Sequence, residues 1–207
     1  MSSRNRVIVL TVMAMLIMGV YGVLLAGLLR GQPTESPGIS SLPPTPSLSA
    51  KGKYAQAEAV ARVWRSDARL LEAGAAWSMP TEAQLLSGQA AWMFRFYSPS
   101  AGQVYEVVVT ESAAEGTPGD LVGAPLATVD PAAWQVDSPL ALVRFLDHGG
   151  REFMAGHHVT TLRLQLSATL SPGRLVWLIT ALSSTERTAL GMLVDASTGE
   201  VQEASAP

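Results

Sequence analysis

Three histidines fall inside one run of twelve residues, D-H-G-G-R-E-F-M-A-G-H-H, which places His148, His157 and His158 near Asp147 and Glu152. Imidazole and carboxylate are common ligands of zinc, which takes four donors tetrahedrally. Adjacent His157 and His158 would point to opposite faces of an extended chain, so sharing one ion is awkward. The H-E-x-x-H spacing that sets two imidazoles on one helix face is absent. The run therefore reads as solvated loop. Imidazole titrates near neutrality, but no neighbour marks any of the three as a sensor.

A second polar cluster closes the chain: Asp195, Ser197, Gly199 and Glu200 in D-A-S-T-G-E. Alternating oxygen donors resemble the start of a calcium loop, which also needs a bidentate acid further on. That acid is missing and the turn is too short to wrap an ion. Asp195 can instead accept backbone N–H bonds, with Gly199 supplying a positive φ. The cluster reads as a hairpin corner.

Enzyme chemistry has no foothold in the remaining residues. There is no G-x-S-x-G and no S-x-x-K, and the chain holds only two lysines, Lys51 and Lys53. The glycines of G-T-P-G-D-L-V-G, residues 116–123, have the wrong spacing to cradle a phosphate. Asp130 and Asp137 flank a loop with no recognisable pocket for paired-acid chemistry. With no cysteine, thiol catalysis, thiolate metal sites and disulfides are excluded. No catalytic, cofactor-binding or metal-binding residue is expected. Residues 51–207 carry 11 Lys or Arg against 16 Asp or Glu, a net charge of −5 that offers no basic stripe for nucleic acid.

The elements that would hold these residues follow from periodicity. In 54–77, Ala57, Val60, Ala61, Trp64, Ala68 and Leu71 recur at three- and four-residue intervals, which predicts a helix closed by Gly74 and Pro80. From Trp92 the period drops to two, and S-P-S-A-G separates two alternating runs, a β-hairpin. The plan then recurs. Asp137 or Ser138 caps a helix with Pro139 in its first turn and Gly149 beyond its end, followed by alternating strands around S-P-G-R and a third strand, A-L-G-M-L-V-D. Ser98 and Ser171 head similar Ser-Pro-Gly corners 73 residues apart, which suggests tandem units. The tryptophans lie mostly at apolar positions of these elements and are expected in the core.

The N-terminal part differs. Residues 7–29 contain no charge and, as a helix, would reach roughly 34 Å, enough for a hydrocarbon core of about 30 Å. Arg4 and Arg6 precede this run and Arg30 follows, which favours a cytoplasmic N-terminus. Five prolines in residues 31–50 make a tether rather than a core.

The helix L-A-L-V-R-F-L-D, the alternating strands and the closing V-D-A-S-T-G-E-V resemble the PepSY domain family. Val194, Asp195, Ala196, Thr198, Gly199, Glu200 and Val201 carry the match. The resemblance implies a helix packed on an antiparallel sheet and a binding or regulatory role, and brings no catalytic residues. The first unit matches only by architecture.

The expected fold class is therefore α+β: an N-terminal transmembrane helix followed by two tandem helix-plus-antiparallel-sheet modules. The expected boundaries are a cytoplasmic N-terminus at 1–6, an anchor in membrane lipid at 7–29, a linker at 30–50, a first module at 51–128 and a second, PepSY-like module at 129–207. The expected function is a single-pass, non-enzymatic binding or regulatory protein of the bacterial envelope. Its body would be extracytoplasmic and would act on a protein or peptide partner. An envelope-glycan binder using exposed aromatics is the alternative.

Overall fold

A computed structural model describes residues 48–171 and 173–205. The expected anchor at 7–29 and most of the tether lie outside the described residues. Among the described residues no helix is long and apolar enough to cross a membrane. The last residues of the expected tether belong to the body. Ser49 caps the first helix by accepting from Gly52 N at 3.1 Å, and Trp92 Nε1 donates to Leu48 O at 2.9 Å.

Helix α1 (Ala50–Trp64) buries Ala57 and Ala61 completely, so its backbone approaches the sheet closely. It stops well short of the expected end near residue 77. The Asp67 carboxylate accepts from Ser98 Oγ at 2.7 Å and Ser100 N at 2.8 Å, drawing the chain out of the helix. Strand β1 (Arg69–Ser78) then occupies the segment expected to be helical. A bulge at Leu71 lets both Leu70 and Ala73 face the core, opposite Phe96 and Phe94. Helix α2 (Glu82–Ser87) starts at a capping box made by Thr81 and Gln84. The meander β2 (Trp92–Ser98), β3 (Gln103–Val109) and β4 (Ala114–Leu121) follows.

The second half repeats the plan with changes. Helix α3 (Ser138–Phe145) has Asp137 as N-cap and Pro139 in its first turn. A kinked turn, Leu146–Gly150, contains non-helical His148 and Gly149, the latter at φ +104°, before α4 (Arg151–Gly156). Strands β5 (Thr161–Ser171), β6 (Arg174–Ser183), β7 (Thr188–Asp195) and β8 (Val201–Ser205) complete the chain.

These strands form one antiparallel sheet in the order β4-β3-β2-β1-β5-β6-β7-β8. The expected fold class is corrected accordingly: the two runs are not separate modules, and no transmembrane element belongs to the described fold. The weld is the ladder between β1 and β5, from Glu72↔Ser167 to Ser78↔Thr161, at the centre of the sheet. At Gly74 a Cβ would lie 3.2 Å from Leu164 O, so the smallest residue suits the middle of that ladder. Glu72 ties both sides of the weld, accepting from Arg95 of β2 at 2.9 Å and Gln165 of β5 at 2.8 Å. The expected division at residue 129 also falls inside the fold, where buried Val129 donates its N–H to Leu70 O at 2.7 Å.

The Ser-Pro-Gly comparison is corrected too. The corner at Ser98 joins β2 to β3 whereas that at Ser171 joins β5 to β6, so the two corners are one strand out of step.

Helices α1 and α3 pack on one face of the sheet, and one cluster of buried side chains runs through both halves. Its spine is aromatic. Trp77, Trp92, Trp177, Trp134 and Tyr54 follow one another at ring separations of 6.5, 6.5, 5.8 and 6.0 Å. The indole N–H groups of Trp134 and Trp177 both donate to Val136 O, at 2.9 and 2.8 Å, so these buried rings lose no hydrogen bond. Burial of each such ring contributes about 1.5–3 kcal/mol. On the helix-free face, Leu71, Tyr97 and Val104 make a smaller cluster.

Candidate functional site

The N-termini of α1 and α3 meet. Ala50 N donates to Ser138 Oγ at 3.0 Å and Lys51 N to Asp137 Oδ1 at 3.1 Å, so each polar residue at the start of α3 also serves α1. The two helices thus run outward from a shared origin. α1 heads over β2, β3 and β4, and α3 over β6 and β7.

At the outward end of α1 the surface is closed. Trp64 stacks on Tyr105 at 4.6 Å with planes 5° apart, and Arg65 covers the ring at 5.8 Å. Gly116 of β4 makes room, since a Cβ there would strike the Tyr105 ring.

At the outward end of α3 the surface is open. A depression of about 540 Å³ is lined by Arg144, His148, Thr198, Gly199, Glu200 and Val201. Arg144 Nε is buried with no hydrogen-bond partner, and Arg144 takes part in no ion pair among the described residues. A buried donor left unmade costs about 1–3 kcal/mol, so its persistence calls for a reason. His148 Nδ1 lies 2.9 Å from Arg144 O. A carbonyl only accepts, so Nδ1 carries the proton and Nε2 is the free ring nitrogen.

The opposite wall is the D-A-S-T-G-E corner. Asp195 Oδ1 accepts from Ser197 N at 2.8 Å and Thr198 N at 3.0 Å, while its Oδ2 takes Gln202 Nε2 at 3.2 Å. Gly199 has φ +78°, and its N–H returns to Asp195 O at 2.8 Å. A Cβ on Gly199 would stand 3.9 Å from Arg144 Nε, so the corner lies close against the guanidinium. The Asp195 carboxylate is fully engaged in building the turn. The chemistry available here is recognition of an anion by Arg144, with His148 beside it and the Glu200 carboxylate at the rim.

The structure separates the other candidates. Asp130 accepts from Ala132 N at 2.9 Å and Asp137 caps helices, so those acids hold backbone and form no pair. Residues 116–121 are part of β4. His157 Nδ1 bonds Glu186, which also accepts from His158 N at 2.8 Å, a contact between the α4–β5 turn and the β6–β7 hairpin. The His158 N–H first, and the His157 ring after it, hold the Glu186 carboxyl below its ordinary range. No group of three or more His, Asp or Glu able to hold a metal occurs among the described residues.

Sequence reasoning missed Arg144. The available signal was a lone cation in the apolar helix S-P-L-A-L-V-R-F with no acid three or four residues before it. Asp147, three residues after it, is engaged by Arg151 at 3.4 Å.

No protein-family model matches the chain, and no curated protein matches it. Among solved structures, a candidate lipoprotein from Clostridium difficile 630 is similar over 74% of this chain and 92% of its own. The identity is 11% and the TM-score 0.49. A likeness of that degree transfers no function.

Proposed function

We propose that the chain is a membrane-associated, extracytoplasmic binding or regulatory protein of the bacterial envelope that takes a protein or peptide partner. One observation carries this reading: Arg144, which has no ion-pair partner among the described residues, lines an open depression beside β8, the outermost described strand. A free sheet edge next to a polar pocket is a recurrent way to hold an extended chain. The likeness of the closing V-D-A-S-T-G-E-V to PepSY modules supports a binding role over catalysis, and the charge-free run at 7–29 supports membrane association. The glycan alternative loses support, because Trp77, Trp92, Trp134 and Trp177 are buried and Trp64 is stacked on Tyr105.

Site-specific photocrosslinking of the full chain in cells tests the proposal. A crosslinker at Thr198 should yield a discrete adduct, and one at Thr117 on the opposite edge should not. Equal labelling from both positions, or from neither, would refute it. Protease accessibility in intact against permeabilised cells checks the side of the membrane.

A further inference from the structure

The position of the depression along β8 carries more than a general binding role. It is lined by Glu200 and Val201, so it lies at the N-terminal end of that strand. Among the described residues β8 pairs with β7 on one side only, and its other edge ends the sheet. An extended segment added antiparallel to this edge would run its own C-terminal end toward Val201. There it meets Arg144, which lines the depression and has no ion-pair partner among the described residues. The natural complement of a guanidinium at a chain end is an α-carboxylate, which can accept two parallel N–H bonds.

From this juxtaposition we infer that β8 and the Arg144 depression form one site for the free C-terminus of an extended peptide. Main-chain pairing along β8 supplies affinity, and Arg144 reads the terminal carboxylate. This rests on the binding role proposed above and deepens it. His148 lies beside Arg144 and adds a cation when protonated. Glu200 opposes the carboxylate and favours a peptide without acidic side chains near its end. The opposite edge lacks these features. Pro118 interrupts the donors of β4, and Glu115 and Asp120 are exposed along it, so that edge resists strand addition.

The test uses detergent-solubilised full chain and pools of randomised hexapeptides immobilised through their N-termini. One pool has free carboxylates, a second is C-terminally amidated, and a third carries N-methyl groups on alternate residues. The expected result is retention by the free-acid pool, about ten- to hundredfold weaker retention by the amidated pool, and none by the N-methylated pool. Arg144→Met should bring the free-acid pool down to the amidated level with an unchanged thermal melt. Equal retention of free and amidated pools would overturn the carboxylate assignment while leaving peptide binding standing. Full retention of N-methylated peptides would overturn strand addition. Retention of no pool would overturn the inference, and the crosslinking at Thr198 would then decide the broader reading independently.

Discussion

The two outward ends of the helix pair are built alike and finished differently. α1 ends in Trp64, stacked on Tyr105 over Gly116. α3 ends in Arg144 and His148, and the chain kinks at Gly149 before it can cover the β7–β8 corner. The first arrangement uses aromatic area to bury a sheet margin. The second leaves a half-buried arginine at the wall of an open depression with no ion-pair partner among the described residues. The first end is finished by packing, and the second is where the binding role proposed above would act.

The largest effect tests whether the halves are one body. Trp177 of β6 contacts Trp92 of β2 and Trp134 of the connecting segment, so its loss reaches across the weld. Trp177→Ala should destabilise by about 3–5 kcal/mol. Hydrogen exchange of β2 and β6 amides should quicken together in one denaturation transition. Two separate transitions would break the comparison at its base, since independent halves need not share a core.

The next pair sharpens the contrast directly. Trp64→Ala removes a stacked ring at a half-exposed margin and should cost about 1–3 kcal/mol in chemical denaturation. Arg144→Met deletes the unsatisfied Nε and should leave stability within about 1 kcal/mol of the parent, on the stabilising side. Equal losses at both positions would mean that Arg144 is a packing residue like Trp64.

How much of this was legible follows from β1. Its sequence, R-L-L-E-A-G-A-A-W-S, is rich in alanine, a strong helix former and a poor strand former, and it continues the spacing set by Ala57 to Trp64. Local propensity therefore pointed to helix, while position decided otherwise. In the middle of an eight-stranded sheet beneath α1, only small side chains fit at Ala73 and Ala75, both buried. With β1 read as helix, each half kept its meander but lost the strand that joins them. Two modules and misaligned Ser-Pro-Gly corners followed from that one step. β5, with apolar residues at alternate positions from Leu162 to Leu166, was readable because burial on one face dictates it, and β6 because its apolar run follows the S-P-G-R turn. The D-A-S-T-G-E corner was legible as a turn, because Asp and Gly make it locally. Its second role, as the wall facing Arg144, depends on a helix more than fifty residues earlier and leaves no local mark.

The smallest effects concern the turns that lead into the two welded strands. In the first half Asp67, before β1, is fastened to Ser98 and Ser100 of the β2–β3 hairpin. In the second half the equivalent hairpin, β6–β7, supplies the acid instead: Glu186 holds His157 and His158 before β5. The Ser98 hydroxyl, followed by the Ser100 N–H, draws the Asp67 carboxyl down from 3.8 to about 2. Its unfolded form therefore binds a proton at a pH where the folded form does not. The stability it contributes is present above about pH 4 and is lost as pH falls through about 2. Glu186 has the same sign, its contribution present above 4.5 and lost on acidification below that value. Glu186 is exposed and Asp67 only half-buried, so solvent and salt screen both and each change should be small and local. Asp67→Asn should remove the acid-dependent part of exchange protection at residues 98–103 and leave 183–188 as in the parent. Glu186→Gln should do the reverse. If either variant alters both hairpins, the two contacts are not local latches, and the duplication extends to how the turns are coupled through β1 and β5.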